Sequence, residues 1–234
     1  MQEVLDKYRR LERHDFALLQ AAVSPAQIEA LRDAVETFRR ENSVCGAANM
    51  RNLLSGCPYV KSFAVAGLAH KIASEILGVS ALPVRAILFD KTPAANWYVT
   101  WHQDLSIPVK ERLEIDGYGP WSTKEGVLHV QPPASVLEGM VALRIHLDPC
   151  PESNGAVKFV AGSHLGGVLA PETVSGLREG GRAVVCPAEV GDVIAMRPLV
   201  LHASSVSQSP AHRRVLHIEY AGVQLPAGLA WAEA

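Results

Sequence analysis

The chain has 234 residues, with Lys+Arg 22 against Asp+Glu 24 and a formal net charge of −2. That balance excludes a strongly basic nucleic-acid binder and a polyanionic tail, and 48% hydrophobic against 20% charged residues excludes disorder as the main state. The apolar runs are far shorter than the roughly 20 residues of a membrane span. The N-terminal stretch MQEVLDKYRRLERHD is charged where a signal peptide would be apolar, so a soluble, cytoplasmic protein without membrane or nucleic-acid partners is expected.

The predicted elements begin with a short strand over 16–23 (FALLQAAV). Ser24-Pro25-Ala26-Gln27 then starts a helix. Ser24 can cap the N3 amide, Pro25 fits the first turn because its missing N–H would be unpaired there, and Gln27 can return the bond. Ile28, Leu31, Val35 and Phe38 carry an apolar stripe to about Arg40, and a second amphipathic helix is expected from Phe63 to Leu77, ended by Gly78. Residues 1–80 thus read as mostly helical support. From Pro83 the chain turns to short β-rich runs separated by Pro, Gly and Asn, which predicts a sandwich or barrel over 83–223 with the helices covering one sheet. No repeat or linker divides the sequence, so one domain over 1–234 is expected.

Cys45, Cys57, Cys150 and Cys186 form no C-x-x-C pair, which removes zinc-ribbon and disulfide-scaffold readings and leaves reduced, structural thiols. Nine histidines among few aromatics make a metal site worth seeking. A His and an acid two residues apart on a strand face the same side and can take adjacent positions on one ion. Chance supplies roughly one such H-x-[DE] pair at this composition, yet three occur: His102/Asp104, His146/Asp148 and His217/Glu219.

A two-His-one-carboxylate facial triad, open on its other side, needs a second His later in the chain. His217/Glu219 has none after it and reads as strand decoration. His146/Asp148 could use His202, but Asp148 runs into Pro149-Cys150-Pro151, where the strand must end. His102/Asp104 follows the aromatic strand WYVTW and precedes Pro108, at a strand mouth, and is the best pair. His202 ends an apolar strand and is the expected distal ligand. Eleven residues on, Arg213 begins another strand and can clamp a dicarboxylate in bidentate fashion, with Ser204 donating a second hydrogen bond.

Together WHQD (101–104), ESNGAVKFVAGSH (152–164), GDVIAMRPLVLHASS (191–205) and RRVLHIEY (213–220) resemble the phytanoyl-CoA dioxygenase-like family of iron(II)/2-oxoglutarate-dependent oxygenases, over most of residues 16–220. The resemblance implies a mainly β double-stranded β-helix (jelly-roll, cupin-like) core with helices on the major sheet. It implies that His102, Asp104 and His202 hold Fe(II), that Arg213 and Ser204 bind the distal carboxylate of the co-substrate 2-oxoglutarate, and that O2 is consumed. Arg85 and Lys91 lie where family members add a further polar contact to the co-substrate. The carboxylate of Asp104, which related halogenases replace with a small residue, points to hydroxylation of an unactivated C–H or a related oxidation. Asn154-Gly155 is then a hairpin turn, and His164 belongs to a structural loop.

Evidence on the substrate is thinner in the sequence. Trp97, Trp101 and Trp121 fall within 25 residues around the motif, with Trp101 beside the metal pair, and Trp121–Pro133 reads either as a lid, with His129 and Gln131 as substrate contacts, or as an ordinary packed loop. Arg144 and His146 share one face of MVALRIHLD. If that face points inward, they favour a small anionic or zwitterionic substrate such as an amino acid derivative; otherwise they are merely solvated. The substrate class expected is a small molecule of that kind or a natural-product precursor. The rival readings are a cupin-like isomerase and a catalytically silent binding module. Arg213 and Ser204 argue against the first, and an intact triad against the second.

Overall fold

A computed structural model describes residues 11, 15–42, 49–92, 94–180, 183–208, 212–226 and 228–233. Residues 1–10 and 12–14 of the charged N-terminal stretch, His14 among them, and Cys45 lie outside the described residues. Strand β1 is Phe16–Leu19, shorter than the run 16–23 suggested, and helix α1 is Pro25–Glu41. The capping box forms as expected: Gln27 N donates to Ser24 Oγ at 3.4 Å, and Ser24 N donates to Gln27 Oε1 at 3.3 Å. Such a cap contributes about 1 kcal/mol. Ile28, Leu31 and Val35 are buried, each worth about 1.5–3 kcal/mol in apolar burial.

β2 (Asn49–Met50) and α2 (Leu53–Gly56) follow. The expected helix over 63–77 is instead two: α3 (Pro58–Ala66) and α4 (Leu68–Leu77), broken at Gly67. There the backbone turns against its own preceding turn, and a Cβ on Gly67 would sit 2.6 Å from Phe63 O. Gly78 ends α4 at φ 69, the left-handed cap glycine favours.

The strands are β3 (Leu82–Lys91), β4 (Val99–His102), β5 (Ile107–Val109), β6 (Trp121–Lys124), β7 (Val127–Val130), β8 (Met140–His146), β9 (Val157–Val160), β10 (Ala183–Cys186), β11 (Val193–Met196), β12 (Leu201–Ser204) and β13 (Arg213–Ala221), with helices α5 (Ala134–Glu138) and α6 (Pro171–Glu179) between them. They pair antiparallel into a major sheet β1-β11-β8-β13-β3-β2, a minor sheet β10-β9-β12-β4, and a small sheet β5-β7-β6. This is a jelly-roll core with helices on the major sheet. No helix among the described residues is long and apolar enough to cross a membrane.

The stretch 191–204, which reads as a turn and one apolar strand, is two strands in different sheets. Pro198 has no N–H for a ladder, so pairing stops after Met196 and the chain crosses over. That crossing carries His202 onto the minor sheet. β8 is buried along its whole length because both faces are covered. Its outer residues Val141, Leu143 and Ile145 pack with Ile28, Leu31 and Val60 of the helices, while Ala142 on the inner face packs with Phe159 and Met196 between the sheets. The inner face toward the other end is polar, and it lines a cavity.

Candidate metal centre

His102 and His202 are register partners across β4 and β12, with ring centroids 4.2 Å apart. One step along, Ser204 pairs with Val99, so β4 spends three residues where β12 spends two. This bulge resets the alternation. Trp97 and Val99 before it and His102 after it all line the cavity, whereas Trp101 does not. Trp97, not Trp101, is the tryptophan of the site.

Each imidazole is oriented by a backbone carbonyl two residues before it: His102 Nδ1 lies 2.8 Å from Thr100 O, and His202 Nδ1 lies 3.0 Å from Val200 O. A carbonyl only accepts, so Nδ1 carries a hydrogen in both rings and Nε2 is the nitrogen each ring can offer to a metal. Both Nε2 atoms face Asp104, at 3.7 Å from Oδ1 and 3.8 Å from Oδ2. These gaps are too long for hydrogen bonds and leave room for an ion between the three groups. The three ligating atoms lie within 4.8 Å of one another. Burial, with His102 beside it, lowers the pKa of His202 to about 4, so its ring is neutral near pH 7. Burial works against the charge of Asp104, but His202 and His102 outweigh it and hold the carboxyl well below the usual range. Two imidazole Nε2 atoms and one carboxylate, converging on one point, fit a divalent metal ion.

Asp104, His217 and Glu219 also lie close together, but the second trio is satisfied differently. His217 Nε2 is 3.2 Å from Glu219 Oε1, and Arg144 donates toward His217 Nδ1 at 3.5 Å. The proton sits on Nε2, where a ligand would need its lone pair. His217 and Glu219 are nonetheless not strand decoration; both are buried and line the cavity. Counting by twos from Arg213 along β13 reaches both, a signal the sequence carried. The pair His146/Asp148 is excluded by commitment, since Asp148 accepts from Arg214 Nε at 2.8 Å and faces Arg32 at 3.3 Å.

Arg213, which lines the cavity, and Lys91, which does not, are register partners on β13 and β3. Lys91 Nζ donates to Ser205 O at 2.7 Å and Ser204 Oγ at 3.3 Å, and lies 5.3 Å from the Trp97 ring centroid. Arg213 donates to Gly155 O, while its buried Nε has no partner. Burial, then Arg213 and Arg144, lower the pKa of Lys91 to about 7. Arg85 is not with them. It stands at the other end of the same strand pair, bonded to Glu219.

The cavity is about 320 Å³, with Arg144 among its walls. Of the other expected substrate contacts, His129, Gln131, His146 and Trp101 do not line it. The stretch 121–133 is a hairpin, β6–β7, turning through Glu125 and Gly126 at positive φ. His129 points into a separate crevice with Asn52 and Glu233, and burial lowers its pKa to about 4. Gln131 is held by its backbone, which donates to Pro120 O and accepts from Gly119 N. His146 shares the inner face with Arg144 but is buried beyond the cavity. Lys124 of the same hairpin does reach the cavity, a contact that reading the hairpin's His and Gln missed. His164 is fixed against Asp15, as a loop role requires.

Residues 11–215 match the family described as Phytanoyl-CoA dioxygenase (PhyH). The chain belongs to the phytanoyl-CoA dioxygenase family. No curated protein sequence is significantly similar to it. Among solved structures similar to this member of the family is the non-heme alpha ketoglutarate dependent carbocyclase SnoK from nogalamycin biosynthesis, at 16% identity and TM-score 0.71 over 98% of this chain and 86% of that one. The epimerase SnoN in complex with Fe3+, alpha ketoglutarate and nogalamycin RO gives 15% identity and TM-score 0.69 over 98% and 92%. EctD from S. alaskensis with 2-oxoglutarate and 5-hydroxyectoine gives 16% identity and TM-score 0.70 over 93% and 76%. At these identities the likeness shows the shared fold.

Proposed function

We propose that this phytanoyl-CoA dioxygenase family member is an iron(II)- and 2-oxoglutarate-dependent dioxygenase that hydroxylates an unactivated C–H of a small molecule, with residues 1–234 forming one oxygenase domain. The observation that carries it is the pair of imidazoles whose Nδ1 hydrogens are spent on Thr100 O and Val200 O while their Nε2 atoms converge with Asp104. His102, Asp104 and His202 are the ligands of Fe(II) in this reading. The ion with 2-oxoglutarate and O2 supplies the oxidising chemistry, releasing succinate and carbon dioxide.

The protein's own residues bind and orient. Arg213 and Lys91, from adjacent strands, with the Ser204 hydroxyl, hold the distal carboxylate of 2-oxoglutarate. Gly155 O and Ser205 O fix the two cations in place before it arrives. Burial of all three side chains excludes water from that contact. Arg85, bonded to Glu219, has no part in it. The 2-oxoglutarate in the EctD structure and the Fe3+ and alpha ketoglutarate in the SnoN complex support the same cofactors here. The free thiols of Cys57, Cys150 and Cys186 suit a reducing, cytoplasmic setting.

The carbocyclase and epimerase among the structural neighbours favour a second outcome on the same site, ring closure or epimerisation of a natural-product precursor. A succinate-release screen over amino acids, acyl thioesters and small natural-product precursors tests the class. The mass of the product separates the outcomes: a gain of one oxygen for hydroxylation, no change for epimerisation, loss of two hydrogens for ring closure. Full 2-oxoglutarate turnover in His102→Ala or Asp104→Ala would overturn the assignment.

A further inference from the structure

The cavity holds more positive charge than the proposed metal and co-substrate account for. Of its buried cations, Arg85 is neutralised by Glu219, and Arg213, together with its strand partner Lys91, serves the distal carboxylate in the reading above. Arg144 is left over. It is 9% exposed, its one side-chain hydrogen bond among the described residues is the 3.5 Å contact with His217, and its buried Nε has no partner among them. No carboxylate of the described residues lies within ion-pair distance, and its guanidinium rests over the Phe89 ring at 5.6 Å. Asp104 attracts it from farther away but is assigned to the metal. Burial, then Arg213, lower its pKa to about 10 against the attraction of Asp104. A buried cation left unpaired is costly to the fold, so its retention in a cavity wall calls for a ligand that completes it.

Lys124, on the hairpin, lines the same cavity. Its ammonium donates to Ser106 Oγ at 2.8 Å and also has no carboxylate within ion-pair distance among the described residues. Ile87, Phe89, Val99 and Val157 supply apolar wall.

We infer that Arg144 anchors a carboxylate of the organic substrate, with Lys124 as the second positive charge, so that the substrate is an organic acid with an apolar body. A planar guanidinium with free donors matches a carboxylate in bidentate fashion. The inference rests on the proposed function, because it takes Asp104 as spent on the metal and Arg213 and Lys91 on 2-oxoglutarate.

The test uses the full chain loaded with Mn(II) and saturated with 2-oxoglutarate. Benzoate, 3-phenylpropionate, hexanoate and N-acetylphenylalanine are titrated against their neutral amides, with melting temperature and calorimetry as readouts. At least one acid should bind about tenfold or more tightly than its amide. Arg144→Leu and the milder Arg144→Gln should each lose that preference, bind Mn(II) and 2-oxoglutarate as the wild type does, and melt no lower without ligands. Lys124→Met should weaken the acid by a smaller factor. Equal binding of acids and amides, or binding of none of the four acids, would overturn the inference. So would a loss of 2-oxoglutarate affinity in Arg144→Gln, which would give Arg144 to the co-substrate and leave the proposed function standing. Failure of the wild type to bind Mn(II) or 2-oxoglutarate would instead overturn the proposed function, and this inference with it.

Discussion

Lys91 and Arg213 stand directly opposite each other on β3 and β13, both buried, with neither ion-paired to a carboxylate among the described residues. Asp90, next to Lys91, projects to the other face and is taken by Arg39 at 2.8 Å and His212 at 2.9 Å. Like charges set side by side in a sheet repel. The pair is therefore a fixed demand for an anion, and in the proposed function that anion is the distal carboxylate of 2-oxoglutarate.

Replacing Lys91 separates stability from binding. Its folded pKa of about 7 lies below the ordinary 10.5, so between those values the unfolded chain binds more protons and stability from this group rises with pH; below about 7 the cost of burying the charge is fully present. Lys91→Met should raise the melting temperature at pH 6 and flatten its pH dependence between 7 and 10. It should weaken 2-oxoglutarate by about 10- to 100-fold. In the wild type, 2-oxoglutarate binding should take up a proton above pH 7, so its affinity falls as pH rises, which calorimetry in buffers of different ionisation enthalpy will measure.

Gly155 connects the backbone to both cations. It sits at φ 70, its carbonyl accepts from Arg213, and a Cβ there would lie 2.5 Å from Ser205 O, the acceptor of Lys91. Gly155→Ala should cost about 1–3 kcal/mol in denaturant unfolding and raise the KM for 2-oxoglutarate while Mn(II) affinity holds.

Metal binding is measurable without turnover. At a Mn(II) concentration about 100 times its Kd, linkage supplies about 2.7 kcal/mol, or a rise of about 5–10 °C in melting temperature for a chain of this size. The rise should vanish in Asp104→Ala and in His202→Ala. It should survive in Glu219→Gln, since Glu219 bonds to His217 and Arg85 and not to the triad.

Asp148 provides the contrast of a purely structural carboxylate. It is bonded to Arg214 and Arg32 on the outer side of the sheet, and the hydrogen bonds from Arg214 outweigh burial to lower its pKa. Asp148→Ala should lower stability by about 2–4 kcal/mol and leave the KM for 2-oxoglutarate unchanged. Because the folded pKa is depressed, this contribution is present above the ordinary value of 3.8 and lost as pH falls through the folded one. Wild type and variant should converge in acid unfolding.

What the sequence determined by itself was local and periodic. The Ser24–Gln27 box, the stripe Ile28–Leu31–Val35, the glycine stop at 78 and the order of the strands come from hydrogen-bond chemistry and side-chain alternation within a few residues. So does the choice of His102/Asp104 over its two rivals, which rested on where strands must end and on which histidines come later in the chain. The tertiary structure decided what depends on counting across strands. The bulge in β4 turned Trp97 inward and Trp101 away, and the crossing at Pro198 put His202 opposite His102. The pairing of β3, β13 and β8 stacked Lys91, Arg213, His217, Glu219 and Arg144 on one inner face, and His217 and Glu219, read as decoration, became cavity wall. The hairpin at 121–130 was visible as an insert, but which of its side chains reach the cavity was not. A strand's alternation fixes which residues share a face; only its partners and bulges fix which face looks inward.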